Sequence, residues 1–220
     1  MLLLPVPGHR SPVPNMVKVK ICGITNLEDA QIAVDAGADA LGFVFYTASP
    51  RHIFPEEASR IIRSLPPFVQ TVGLFVNESA DIINETADRC GLDIVQLHGD
   101  ESPAFCQTIK RRLIKALRIK DMASLDAIND YQVSSFLLDA WSPDAFGGTG
   151  KTFNWEIAEC AARKTRIILA GGLTPANVAD AILRTRPYGV DVSSSLELSP
   201  GKKNPVNVIE FIKNAKECLP

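Results

Sequence analysis

The sequence predicts an α/β protein folded as a single (β/α)₈ barrel, a parallel eight-stranded barrel with helices outside. Strand, loop and helix recur at even spacing, giving eight units in about 205 residues, a count and length that suit a closed barrel. The Gly-x-Gly-x-x-Gly turn of an open doubly wound sheet does not occur. The first strand adds a third observation. Val17, Val19 and Ile21 alternate with Lys18, Lys20 and Cys22. In an ordinary two-faced sheet the lysines would face water. In a barrel the apolar set faces the helices and the polar set points inward, which puts Cys22 at the carboxyl mouth.

The elements follow in order. Val17 to Cys22 is the first strand; Asn26 caps a helix to Ala36, with Glu28 and Asp29 in its first turn, and Gly37 stops it. The second unit is a strand over 40–45, a loop carrying Arg51, and a helix opened by Pro55. Strands over 69–77 and 93–101 precede helices Ser79 to Cys90 and Ser102 to Arg112. A fifth strand (113–119) leads to a short helix from Met122 to Ile128. The sixth strand (134–140) is followed by a glycine-rich loop and a helix from Asn154 to Arg163. The seventh strand (166–173) leads to a helix from Pro175 to Arg184, and the eighth (188–194) to a helix from Asn204 to Glu217. In the third strand Val72, Leu74 and Val76 alternate with Thr71, Gly73 and Phe75, and the smaller or polar set is expected to face the interior. Gln96 shares a face with His98, and Gly189 with Asp191.

Composition bounds the function. At 220 residues, 46% of them hydrophobic, the chain has material for one large core and no sign of disorder. A formal charge of −2 gives no general attraction to nucleic acid or anionic lipid, so an anion site must be built locally and a small ligand is expected. The five cysteines are scattered without Cys-x-x-Cys, which speaks against a disulfide framework or a zinc site. The opening apolar run lacks a basic flank and is broken by Pro5 and Pro7, a poor signal peptide, and no apolar run approaches a membrane span. Residues 1–15 read as a flexible N-terminal tail, residues 16–220 as one barrel domain, and the protein as cytoplasmic.

In such a barrel chemistry sits at the carboxyl ends of the strands, where Cys22, Arg51, Asn77, His98, Asp139, Gly171, Gly172 and Ser193 fall. Gly171 and Gly172 precede a helix, and Ser193, Ser194 and Ser195 lie in a long loop with Gly201; together they offer peptide N–H groups and hydroxyls to a phosphate. The same glycines would also serve simply to turn the chain. The segment 147–152 resembles a P-loop, but Ala145 stands where that motif needs glycine, so Gly148 and Gly150 read instead as a mobile lid or a solvated linker. Cys22 is either an inert buried thiol or a nucleophile or base. Asp139 favours the active reading, because a carboxylate ending Phe136-Leu137-Leu138 is costly to bury unless paired or used. A thiolate on the first strand and a carboxylic acid on the sixth can flank a sugar as base and acid. Arg51 has the planar fork for a carboxylate or phosphate, or else is solvated; His98 is either a ligand contact or a structural histidine. An inward Lys20 beneath Cys22 needs a carboxylate, and Asp191 is the candidate.

The ordered motifs KICGIT, GFVFYTASPR, VGLFVN, VQLHGDE, LLDA, GGTGKTFNW, LAGGLTPANV and GVDVSSSLELSPGKK, between Val17 and Lys216, resemble those of the phosphoribosylanthranilate isomerases of tryptophan biosynthesis. The resemblance implies an Amadori rearrangement of an aminoaldose phosphate without metal or organic cofactor. It implies Cys22 as general base at C2 of the sugar and Asp139 as general acid at the ring oxygen. Arg51 would hold the anthranilate carboxylate, with His98 nearby, and Gly171, Gly172 and Ser193–Ser195 the phosphate. One departure is visible: Ser195 stands where the family usually has glycine, which bears on the phosphate contact if that position needs a positive φ. The implied partner is a small phosphosugar, not nucleic acid or membrane, and the implied assembly a monomer or homodimer. The nearest rivals are another aminoaldose isomerase, expected to carry a carboxylate at Cys22, and an indole-glycerol-phosphate synthase, for which Lys20 would serve. A phosphate-binding barrel without catalysis is the alternative of a different class.

Overall fold

The computed structural model describes residues 16–140 and 154–218. The expected tail, residues 1–15, and the lid glycines Gly148 and Gly150 lie outside the described residues. Eight strands run in chain order around one closed parallel barrel: β1 (Lys18–Cys22), β2 (Ala40–Val44), β3 (Gln70–Phe75), β4 (Ile94–Leu97), β5 (Arg112–Ile119), β6 (Ser135–Ala140), β7 (Ile167–Leu169) and β8 (Gly189–Val192). β8 pairs back onto β1, with Lys20 beside Asp191, so no barrel strand is left with an unpaired edge.

Local chemistry sets the helices. α1 (Leu27–Asp35) starts where the Asn26 side chain accepts the Asp29 N–H, as expected. Pro55 opens α2 (Pro55–Arg63), while Ser79 caps α3 (Ala80–Cys90) and Gly91, at φ 74°, ends it. Three helices depart from expectation. α4 is only Pro103–Cys106, because beyond it the chain bonds to α3: Asn84 donates to the Thr108 carbonyl and accepts from the Lys110 N–H. The segment Met122–Asp130 is a 3₁₀ helix, its first turn tightened by reciprocal Asp121 and Ser124 bonds. After α5 (Trp155–Ala162), α6 (Val178–Thr185) begins three residues past Pro175, because Thr174 and Asn177 bond to each other in a turn first. Between β8 and α7 (Pro205–Glu217) a hairpin forms that the sequence reading lacks, β9 (Glu197–Ser199) paired with β10 (Lys202–Lys203).

Two apolar layers hold the barrel. Outside it, Val19, Ile21, Phe43, Phe75, Leu97 and Val190 pack with Ala30, Ile83, Ala181 and Phe211 of the helices. Fully burying a side chain such as Phe43 contributes roughly 1.5–3 kcal/mol. Inside, Val72, Ile114, Ala116, Leu137, Ile168 and Ala170 form a second cluster. The third strand therefore corrects the expectation: Val72, Leu74 and Val76 face inward, while Phe75 joins the outer layer. The reason is volume. Lys20, Gln96, Asp139 and Asp191 occupy the interior from other strands, and the aliphatic filler comes from β3, β5 and β7 together with Leu137 of β6. Gly73 shares the outward face with Phe75, and a Cβ there would lie 2.4 Å from Leu92 Cδ1, so the position has room only for glycine.

Candidate active site

Cys22 is the last residue of β1 and only 5% exposed. Its inward direction comes with that of Lys20, whose ammonium meets Asp191 Oδ1 at 2.9 Å, the pairing expected from the sequence. A Cβ on Gly42 of β2 would sit 2.8 Å from Cys22 Sγ and 3.0 Å from Lys20 Nζ, so the glycine gives the thiol and the ammonium their room. Burial pushes the Cys22 thiol above its ordinary value; the neighbouring Lys20 charge pulls it back in part. Burial works against the Lys20 charge too, but Asp191 and Cys22 outweigh it and hold the ammonium on.

Across the barrel, Asp139 on β6 is buried, its Oδ1 accepting the Ala140 N–H at 2.8 Å. Its other oxygen lies 3.4 Å from His98 Nε2. Gln96 Nε2 lies 3.0 Å from His98 Nδ1, while the ring Nε2 is buried and makes no hydrogen bond among the described residues. Among the sequence-derived residues, His98 thus stands against the carboxylate of β6. Gly171, at φ 78°, allows this approach: a Cβ there would lie 2.7 Å from the Ala140 nitrogen and 2.9 Å from Asp139 Oδ1.

The β7 and β8 loops form the third wall. Gly171 and Gly172 take positive φ, and the Gly172 carbonyl accepts from Asn177. Ser193 donates its hydroxyl to the Cys22 carbonyl and Ser195 donates to the Leu173 carbonyl, so those two hydroxyls tie the loops together, leaving the peptide groups and Ser194 to meet a ligand. Ser195 is not among the residues with positive φ, so the departure from glycine costs no backbone strain.

Cys22, Arg51, His98, Asp139, Gly171, Gly172, Ser193, Ser194 and Ser195 all line one cavity at the carboxyl mouth, with Val44, Leu74 and Val76 as its apolar floor. Lys20 lies beneath it, and Asn77 belongs to the scaffold, its N–H bonded to Glu101 Oε1 at φ 52°. Arg51 is not solvated: it makes a side-on pair with Glu197, which in turn meets Lys203. The sequence reading missed Glu197 and Lys203, although both sit in a quoted motif and flank the Pro200-Gly201 turn. It also missed the buried Lys115–Glu101 pair, at 2.9 Å, which braces the β4 loop against β5.

Comparison with known proteins agrees with this geometry. The family model described as N-(5'phosphoribosyl)anthranilate (PRA) isomerase matches residues 19–214. The chain is 67% identical over 202 residues to an N-(5'-phosphoribosyl)anthranilate isomerase from Pelobacter propionicus, covering 92% of this chain and 97% of that one. The counterpart from Trichlorobacter lovleyi is 63% identical over 205 residues, covering 93% and 100%. Among solved structures, phosphoribosyl anthranilate isomerase from Thermotoga maritima superposes with a TM-score of 0.85 at 47% identity, covering 91% of this chain and 98% of that one. An isomerase in complex with reduced 1-(o-carboxyphenylamino)-1-deoxyribulose 5-phosphate gives 0.81 at 45% identity, with the same 91% and 98% coverage. A closed eight-stranded barrel with a thiol and a carboxylate at one mouth, matched along nearly its whole length, belongs to the N-(5'-phosphoribosyl)anthranilate isomerase family.

Proposed function

We infer that the family reaction runs here with Cys22 as general base and Asp139 as general acid. The chain is an isomerase of tryptophan biosynthesis: it turns N-(5-phospho-β-D-ribosyl)anthranilate into 1-(2-carboxyphenylamino)-1-deoxy-D-ribulose 5-phosphate. The observation that carries the residue assignment is one cavity whose wall holds a thiol from β1, a carboxylate from β6 and the two loops of β7 and β8. With the phosphate against Gly172 and Ser194, the ribose lies between Cys22 and Asp139. Asp139 gives a proton to the ring oxygen as the C1–O bond breaks and the nitrogen lone pair forms an iminium. The Cys22 thiolate removes the C2 proton, and those electrons form the C1=C2 bond and neutralise the iminium. The resulting enol becomes the ketone as a proton returns at C1, so the step is redox-balanced within the substrate. Arg51 faces the anthranilate carboxylate. Residues 16–220 act as one catalytic domain in the cytoplasm; no described helix is long and apolar enough to cross a membrane. The assembly is a monomer or a homodimer; one solved relative, 43% identical, is described as monomers generated from a dimeric isomerase.

The test follows the loss of aminoaldose fluorescence with purified protein. Cys22→Ser and Asp139→Asn should each lower kcat by about 10²–10⁴-fold, the range of a lost proton-transfer group, with unchanged circular dichroism. Near-normal turnover in either variant would remove that residue from its role.

A further inference from the structure

The β9–β10 hairpin places three buried charges in a row beside the active-site mouth. Arg51 presents Nε to Glu197 Oε1 at 2.9 Å and Nη2 to Oε2 at 2.8 Å, a side-on fork, and its Nη1 takes no partner among the described residues. Lys203 Nζ donates to Glu197 Oε1 at 2.8 Å, to the Cys22 carbonyl at 2.6 Å and to the Ser193 carbonyl at 3.4 Å. Three acceptors around one nitrogen suit an ammonium; burial pulls Lys203 below the ordinary lysine value, and Glu197 offsets that in part. The side chains of Glu197 and Lys203 are 4% and 0% exposed, and Arg51 is 14% exposed on the cavity wall.

Two cations thus share one carboxylate. Were Arg51 paired with Glu197 alone, an incoming anion would meet a neutral pair whose carboxylate repels it. We propose that Glu197 and Lys203 are positioning residues for recognition of the substrate's aromatic carboxylate: Glu197 fixes the Arg51 fork, and Lys203 leaves the triad one positive charge in excess. This deepens the proposed function and rests on Arg51 as the carboxylate's partner. The surplus charge is held by backbone as well. Lys203 N–H donates to Asp29 Oδ2 at 2.8 Å, which ties the strand that carries the ammonium to the start of α1. Burial raises the Glu197 carboxyl, but the Arg51 hydrogen bonds and the Lys203 charge outweigh it and keep the group ionised.

The experiment is calorimetric titration with reduced 1-(o-carboxyphenylamino)-1-deoxyribulose 5-phosphate and with the same compound lacking its carboxyl group. Wild-type protein should prefer the carboxylate, and Arg51→Met should abolish the preference; if either fails, the Arg51 reading itself is wrong. Given that preference, Glu197→Gln and Lys203→Met should each reduce it by about tenfold or more while the carboxyl-free compound binds within about threefold of wild type. A preference kept in both variants, or an equal weakening of both ligands as a merely structural role would give, overturns the proposal. Thermal melts confirm the fold; if Lys203→Met does not fold, Glu197→Gln decides alone, with Glu197→Asp in its place should the glutamine variant not accumulate.

Discussion

At the scale of single residues, the thiol sets the pH behaviour. Burial raises Cys22 and Lys20 lowers it in part, so the thiolate fraction grows as pH rises through a value above that of an ordinary cysteine. Alkylation of Cys22 by iodoacetamide should therefore be slow at neutral pH and keep rising on the alkaline side. Lys20→Met should move that rise to still higher pH, and an unmoved profile would show that Lys20 does not act on the thiol. Gly171 offers a steric test. At φ 78° and 2.7 Å from the Ala140 nitrogen, an alanine is strained twice, and Gly171→Ala should cost about 1–3 kcal/mol by denaturant unfolding while displacing Asp139. The pairing of Lys20 with Asp191 was legible in the sequence, because period-two alternation in a barrel forces a polar set inward and a buried ammonium needs a carboxylate. Glu197 and Lys203 were not legible. Their meeting depends on a hairpin turn with no alternating pattern to announce it, and on Arg51, which lies 146 residues away from Glu197.

Elements were read well where capping chemistry was explicit and poorly where a neighbour supplied the bonds. Asn26 and Ser79 start their helices as the sequence says. Helix α4 is cut short by Asn84 from α3, a partner that no local pattern around Thr108 reveals. Asn84→Ala should cost about 1–2 kcal/mol of stability for its two bonds and loosen the segment after Cys106, readable as faster amide exchange there. Strand β3 failed for a related reason. Its two faces are both apolar enough, and only the inventory of what the other seven strands put inside decides which one turns in.

At the scale of the whole molecule, two carboxylates among the described residues are held low. Asp39 resists burial through bonds from Lys18, the Val19 N–H and Lys216, and Glu197 through Arg51 and Lys203, so both lie below their ordinary values. A carboxylate lowered on folding contributes stability in full above its unfolded value, roughly pH 4–4.5, and loses it as the pH falls through its folded one. Thermal midpoints should accordingly stay level as the pH drops towards 5 and then decline below about 4, with Asp39→Asn flattening that decline. Most of the architecture was legible because eight repeats each carry their own signal. Of what joins the first repeat to the last, the Lys20–Asp191 pair was legible and the reach of Lys203 was not. The Lys203 ammonium reaches the Cys22 carbonyl across 181 residues of chain, and β8 must already lie beside β1 for it to do so. Contacts of such separation form late, after the loop entropy of the whole chain has been lost. On the ribosome, then, the thiol of the first motif to be made gains its final backbone support only once Lys203 has emerged, and a nascent barrel carries its base long before it can use it.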